Sequence, residues 1–282
     1  MLKSGKPFRL RRLSLAGDDR HLLVPLDHTV SDGPIVPAGQ WDGLLRALVA
    51  GGADGIIVHK GRARAFAPEI LGSCALVVHL SASTARAADV DAKVLVGDVE
   101  EALRLGADAV SVHVNIGSDT EARQLADLGA VARSCDTWGM PLIAMVYPRG
   151  PRIENPRDPG LLAHLVNVAA DLGADMVKTS VALPLDRMAE VVANSPIPVL
   201  AAGGPPDGSD LVEYGTAVMA SGCRGLAIGR RIFSDPAPAS LVSRLSAVVH
   251  GGRGDGHRGP AARPDGTTDD MAQYSTIVAG VA

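Results

Sequence analysis

The chain has 282 residues, 46% of them hydrophobic, with a net charge of −4 and only 3% aromatic residues. That length buries one large core or two medium ones, and a mildly acidic chain with no basic face argues against a nucleic-acid or membrane-surface partner. Three widely spaced cysteines, Cys74, Cys135 and Cys223, fit neither a disulfide framework nor a zinc motif and point to a reducing cytoplasm.

Near the start, Arg11-Arg12 is followed by Asp18-Asp19-Arg20 where a twin-arginine signal needs an apolar stretch, so that reading fails. Leu22 to Leu26 is the first apolar run and predicts a short buried strand, followed by an amphipathic helix over Gly39 to Ala50. One phrase then recurs along the chain. Gly52-Ala53-Asp54 precedes Gly55 to His59, Gly106-Ala107-Asp108 precedes Ala109 to His113, and Gly173-Ala174-Asp175 precedes Met176 to Lys178. Gly222-Cys223-Arg224 precedes Gly225 to Gly229. Each reads as a helix closed by glycine and followed at once by a strand.

Further apolar runs at Ala75 to Leu80, Pro141 to Val146 and Ile197 to Ala202 complete eight strand candidates. Helical patterns over Val96 to Leu105, Ala122 to Trp138, Gly160 to Leu172 and Asp210 to Ala220 lie between them. Eight alternating strand and helix units predict a (β/α)8 TIM barrel over residues 1–250. An open doubly wound sheet usually carries a glycine-rich turn after its first strand, whereas this first strand ends in Asp27-His28. Residues 251–282, rich in Gly, Pro, Arg and Asp, predict a disordered tail, with the mildly apolar Met271 to Ala282 able to dock elsewhere.

In a barrel, chemistry collects at the C-terminal ends of the strands. Those ends carry Asp27-His28, His59-Lys60, His79 with Ser81, Ser83 and Thr84, His113 and Asn115, Tyr147, Lys178, Gly203-Gly204, and Gly229-Arg230. Lys178 is one of five lysines and sits at the end of an apolar strand. A desolvated amine, with Lys60 or Arg230 as cationic neighbours, can attack a carbonyl carbon. Asp27 and Tyr147 are the matching acid/base groups. The bland alternatives are a lysine paired with Asp175, a rim-packing tyrosine and a turn-capping aspartate. Strand alternation sets Asp175 on the face opposite Lys178. The glycine pairs in the last two loops, with Arg230, suit a phosphate cradle. His28, His59, His79 and His113 raise a metal site as an alternative, but no His-X-His occurs on the first strand, and no metal or other cofactor is expected.

The phrases Val24-Pro25-Leu26-Asp27-His28, His59-Lys60-Gly61, His79 to Thr84 and Gly106 to Asn115, then Tyr147-Pro148-Arg149-Gly150, Asp175 to Thr179, Ala202 to Pro205 and Gly229-Arg230 occur in one order from Phe8 to Val249. In this the chain resembles the archaeal-type class I aldolases, the Schiff-base group that includes fructose-bisphosphate aldolases and the 2-amino-3,7-dideoxy-D-threo-hept-6-ulosonate synthases. The resemblance implies an imine-forming Lys178 with Asp27 and Tyr147 as proton-transfer partners. It also implies substrate or phosphate binding by Gly203, Gly204, Gly229, Arg230, His28, Lys60 and Ser81, metal independence, and a homo-oligomer. The segment from Asp27 to Gly33 and the phrase Asp89 to Lys93 look most like a bacterial biosynthetic branch. That branch joins dihydroxyacetone phosphate to L-aspartate 4-semialdehyde on the way to 3-amino-4-hydroxybenzoate. The chain departs from many relatives at Val181 to Pro184 after the lysine strand and at Pro205-Pro206-Asp207 after the glycine pair. Two rivals from other classes remain at this point: a metal-dependent barrel lyase or hydrolase, and a phosphate-sugar binding protein without turnover.

Overall fold

A computed structural model describes residues 5–204 and 209–251. Eight parallel strands close into a barrel: β1 (His21–Pro25), β2 (Gly55–Val58), β3 (Ala75–His79), β4 (Ala109–Ile116), β5 (Leu142–Pro148), β6 (Met176–Thr179), β7 (Val199–Ala202) and β8 (Gly225–Ala227). Each strand pairs with its neighbours in sequence, and β8 pairs with β1 through Leu22↔Leu226. The TIM barrel read from the sequence is therefore present. The stretches 205–208 and 252–282, including the predicted tail and its apolar end, lie outside the described residues. Among the described residues, no helix is long and apolar enough to cross a membrane.

Strand alternation divides the apolar side chains into two cores. Leu23, Ile57, Val77, Ala109, Ile143, Met145, Met176, Leu200 and Ala227 point inward and fill the barrel, with Leu13 from the N-terminal segment joining them. The other parity points outward: Leu22, Val24, Ile56, Val110, Val112, Val146 and Val177 pack beneath the helices. The predicted helices lie within a few residues of their expected bounds, as Trp41–Ala50, Val99–Arg104, Glu121–Trp138, Pro159–Asp171 and Leu211–Ala220. The sequence reading missed Pro238–Val249, which packs its buried Leu241, Val242, Leu245 and Val249 against the barrel's outer core. It also missed the short helix Lys6–Arg12.

The recurring Gly-X-X phrase has two structural jobs. Gly52, Gly106, Gly173 and Gly222 all have positive φ, between 77° and 95°. In the first three repeats the next alanine N–H reaches back to a carbonyl five residues earlier (Ala53 to Leu48, Ala107 to Ala102, Ala174 to Ala169), a helix-terminating Schellman turn. The aspartate then clasps the preceding strand in the barrel. Asp54 donates its N–H to Leu22 O at 2.9 Å and accepts the Leu22 N–H at 2.6 Å. Asp108 does the same with Leu76, at 2.8 Å and 3.1 Å, and Asp175 with Leu142, at 2.9 Å and 2.8 Å. Arg224 keeps only the backbone half, to Val199 O.

These same three carboxylates receive the N-terminal segment across the lower mouth of the barrel. Leu15 N–H donates to Asp54, Arg12 pairs with Asp108 at 3.1 Å, and Lys6 pairs with Asp175 at 3.1 Å. Asp175 is thus committed to Lys6 at the bottom of the barrel and does not pair with Lys178. Asp54, fully buried, also meets His250 Nε2 at 3.0 Å, while His250 Nδ1 meets Asp18 at 3.0 Å.

Asp54→Ala leaves the Leu15 and Leu22 N–H groups and His250 without their acceptor. It should cost about 3 kcal/mol in urea unfolding, more than Asp108→Ala on the half-buried rim. Burial disfavours charge on His250, but its bonds to Asp54 and Asp18 outweigh this and raise it above its ordinary 6.5. Asp18 is lowered below its ordinary 3.8, with burial opposing and His250 leading the effects that lower it. A raised histidine contributes stability that is complete below 6.5 and lost as pH rises through its folded value. A depressed aspartate contributes above 3.8 and is lost as pH falls. Thermal stability should therefore decline from mildly acidic toward alkaline pH, and His250→Gln should flatten that decline; an unchanged slope would refute the pairing.

Candidate active site

The upper, C-terminal mouth of the barrel opens into a cavity of about 530 Å³. Alternation places the reactive groups there. Met176 points into the barrel, Val177 out and Lys178 in, level with Met145 on β5 and Leu200 on β7. The Lys178 side chain is buried, at 8% exposure, and its Nζ lies 4.0 Å from Met145 Sδ. On β5, Tyr147 follows Ile143 and Met145 on the inward parity and stands one layer higher, also buried. Its ring packs against His113 at 5.0 Å between centroids, and the Arg149 guanidinium sits 4.6 Å over its face.

Asp27 completes the centre from the end of β1. Its Oδ1 is buried with no hydrogen-bond partner. His28 Nδ1 lies 3.6 Å from Oδ1 and His79 Nε2 lies 3.8 Å from Oδ2. Burial works against its charge, but His79, Lys178 and His28 outweigh it and hold the carboxyl at about 2. Burial pushes His79 down to about 4 despite Asp27. It also lowers His28 and His59, and it takes His113 well below the usual imidazole range. At neutral pH the centre therefore holds one carboxylate among neutral imidazoles.

Three of the four histidines are committed to structural bonds. His59 Nδ1 donates to His79 O at 3.1 Å, His79 Nδ1 bonds Ser111 Oγ at 2.8 Å, and His113 Nε2 bonds Asn115 Oδ1 at 2.8 Å. Among the described residues, no three His, Cys, Asp or Glu side chains are grouped as metal ligands.

Most residues predicted for the site meet at this cavity. Asp27, His28, Ser81, Tyr147, Lys178, Gly203, Gly204, Gly229 and Arg230 all line it. Ser81 also accepts the His113 N–H at 3.0 Å, tying β4 to the rim. A side chain at Gly229 would collide with Pro25 O and the His28 ring, so glycine is required where the β8 loop passes the end of β1. Arg230 starts a short helix and is held by Asp32 at 2.9 Å. Lys60 is the exception. It does not line the cavity, and its Nζ pairs with Glu101 at 2.9 Å. The expected cationic neighbour of Lys178 from β2 is thus turned toward a helix. Pro205 to Asp207 lie outside the described residues.

Sequence reasoning overlooked Lys93 and Arg149 as groups in the cavity wall. The signal was available for both: Arg149 follows the β5 strand end directly, and Lys93 is one of only five lysines.

The profile of the DeoC/LacD family aldolases matches residues 21–235. Over 269 residues the chain is 48% identical to the 2-amino-4,5-dihydroxy-6-oxo-7-(phosphonooxy)heptanoate synthase of Streptomyces griseus, a match covering 95% of this chain and 97% of that protein. It is 38% identical to the 2-amino-3,7-dideoxy-D-threo-hept-6-ulosonate synthase of Halobacterium salinarum, over 89% of this chain and 93% of that one. A solved Schiff-base-forming fructose-1,6-bisphosphate aldolase superposes with a TM-score of 0.76 at 25% identity, over 86% of this chain and 98% of that chain. The barrel, the buried strand-end lysine and these likenesses agree: the chain belongs to the DeoC/LacD aldolase family.

Proposed function

We propose that the protein is a Schiff-base aldolase that condenses dihydroxyacetone phosphate with L-aspartate 4-semialdehyde, giving a C7 amino-acid phosphate that leads to 3-amino-4-hydroxybenzoate in secondary metabolism. The observation that carries this reading is the buried amine of Lys178 facing a cavity shared with the Asp27 carboxylate and the Tyr147 hydroxyl. The similarity to the Streptomyces griseus synthase over nearly the whole of both chains supports the substrate pair. A fructose-1,6-bisphosphate aldolase is the second reading, favoured by the structural likeness to one. The same reading takes the enzyme to be a cytoplasmic homo-oligomer acting on small molecules.

In the proposed reaction, Lys178 Nζ attacks the ketone carbon and the carbonyl oxygen takes a proton from Tyr147. The proton shed by the amine returns to Tyr147, which passes it to the carbinolamine hydroxyl so that this leaves as water, and the C=N iminium that forms is stabilised by Asp27. Asp27 suits that task because it stays anionic at neutral pH. It also takes the proton from the neighbouring carbon, so that the C–H electrons form the enamine and the iminium serves as the electron sink. The enamine carbon bonds to the acceptor aldehyde, whose oxygen takes the proton held by Asp27 and so restores the carboxylate. Water then hydrolyses the iminium, frees the product and restores Lys178. The donor's phosphate lies against Gly203, Gly204, Gly229 and Arg230, where backbone N–H groups and a guanidinium supply charge-assisted bonds.

Lys178→Ala should abolish product formation from the two substrates while circular dichroism shows the fold retained; residual turnover near the wild-type level refutes the mechanism. Tyr147→Phe should lower kcat by about 10²- to 10⁴-fold, the usual range for a general acid. At saturating substrates, kcat should show no inflection at the ordinary imidazole value of 6.5 and should fall instead as pH approaches about 4, where His79 gains its proton beside Asp27. A midpoint near 6.5 that His79→Gln removes would contradict the neutral-imidazole site.

A further inference from the structure

Several basic side chains of the fold pair with a carboxylate, whereas among the described residues Lys93 and Arg149, both in the cavity wall, do not. Lys6, Arg12, Lys60, Arg64, Arg152, Arg187 and Arg230 each pair with an aspartate or glutamate. Among the described residues, Lys93 and Arg149 make no such pair, although both line the cavity. Lys93 is partly buried, and burial followed by the charge of Arg149 lowers it from its ordinary value. Two like charges on one cavity wall repel each other, and an anion lying between them would relieve that repulsion.

The segment carrying Lys93 is firmly built. Ser81–Ala82 and Val94–Leu95 form a small antiparallel ladder above β3. The Asp91 carbonyl accepts Asn115 Nδ2 at 2.9 Å and Gln124 Nε2 at 2.9 Å, both from buried side chains. The Lys93 amine donates one bond to Ser83 Oγ, and Ser83 in turn donates to Val90 O at 2.9 Å. An ammonium has three donors, so two remain. The Arg149 guanidinium sits 4.6 Å from the centre of the Tyr147 ring, and its planar fork of N–H donors matches the geometry of a carboxylate.

We propose that Lys93 and Arg149 form the acceptor subsite, binding the carboxylate of the incoming aldehyde beside the proposed proton donor Tyr147 and apart from the glycine loops assigned to the donor's phosphate. This rests on the aldolase reading and deepens it by naming what selects the acceptor. The wall also includes Asp91, whose negative charge acts on Lys93. A second phosphate dianion would be repelled by that carboxylate, whereas an α-amino acid head brings an ammonium to meet it. The subsite therefore fits an amino-acid semialdehyde better than a sugar phosphate.

The test is a ratio of kcat/KM values with dihydroxyacetone phosphate as donor: L-aspartate 4-semialdehyde over butanal, an uncharged aldehyde of the same carbon count. Lys93→Met should reduce that ratio by about 10- to 100-fold, the loss expected for one charge-assisted hydrogen bond. Lys93→Arg should recover most of it. A purely structural role for Lys93 would lower both rates together and leave the ratio unchanged, which overturns the proposal. So does a collapse confined to glyceraldehyde 3-phosphate against glyceraldehyde, which would make the pair a second phosphate site. Failure of the wild-type enzyme to join aspartate semialdehyde to the donor would instead count against the substrate reading. Wild-type turnover with an unchanged ratio in Lys93→Met would refute the subsite alone.

Discussion

The active site depends on a two-residue alternation that points one amine inward. Met176, Lys178, Met145 and Leu200 share the barrel interior, so the Lys178 amine lies among thioether and aliphatic groups with Asp27 as its counter-charge. Placing a charge there is costly unless it is matched. A one-residue slip of β6 would send Lys178 beneath the helices and bring Val177 into the site. Register therefore decides which side chain the cavity receives, and the lower rim holds it: Asp54, Asp108 and Asp175 each bind both the N–H and the C=O of the strand before them.

The two ends of the barrel divide their labour. At the bottom, aspartates join strands to one another and to the N-terminal segment through Leu15, Arg12 and Lys6. At the top, the polar groups largely leave the reacting space open. The buried Oδ1 of Asp27 and Nδ1 of His28 have no hydrogen-bond partner, as befits groups whose bonds are completed by substrate. Stability at the lower face and chemistry at the upper one is the usual division in this fold.

Much of this was legible in the sequence because the relevant signals are local. Glycine-closed helices followed by short apolar runs gave the strand count, and the polar residues clustered at strand ends gave Lys178, Tyr147, Asp27 and the glycine loops. The clasp made by the aspartates of the repeated phrase was not legible, since their partners lie in the preceding strand, about 30 residues away in each case. Lys60 illustrates the opposite error. It follows a strand end as Lys178 nearly does, but β2 stops at Val58 and the chain enters a helix at Lys60, which turns the amine toward Glu101. Lys93 was passed over because it sits in an excursion between β3 and the next helix, where no periodic pattern predicts which way a side chain faces. Long-range pairing and loop geometry, rather than propensity, decided these positions.

The central claim is that one inward-facing amine becomes covalently bound to a carbonyl carbon. Borohydride reduction of the enzyme in the presence of dihydroxyacetone phosphate, followed by peptide mass mapping, tests it most directly. The account predicts a single reduced adduct on the peptide containing Lys178; an adduct on Lys60 or Lys93, or none at all with the enzyme active, would contradict it.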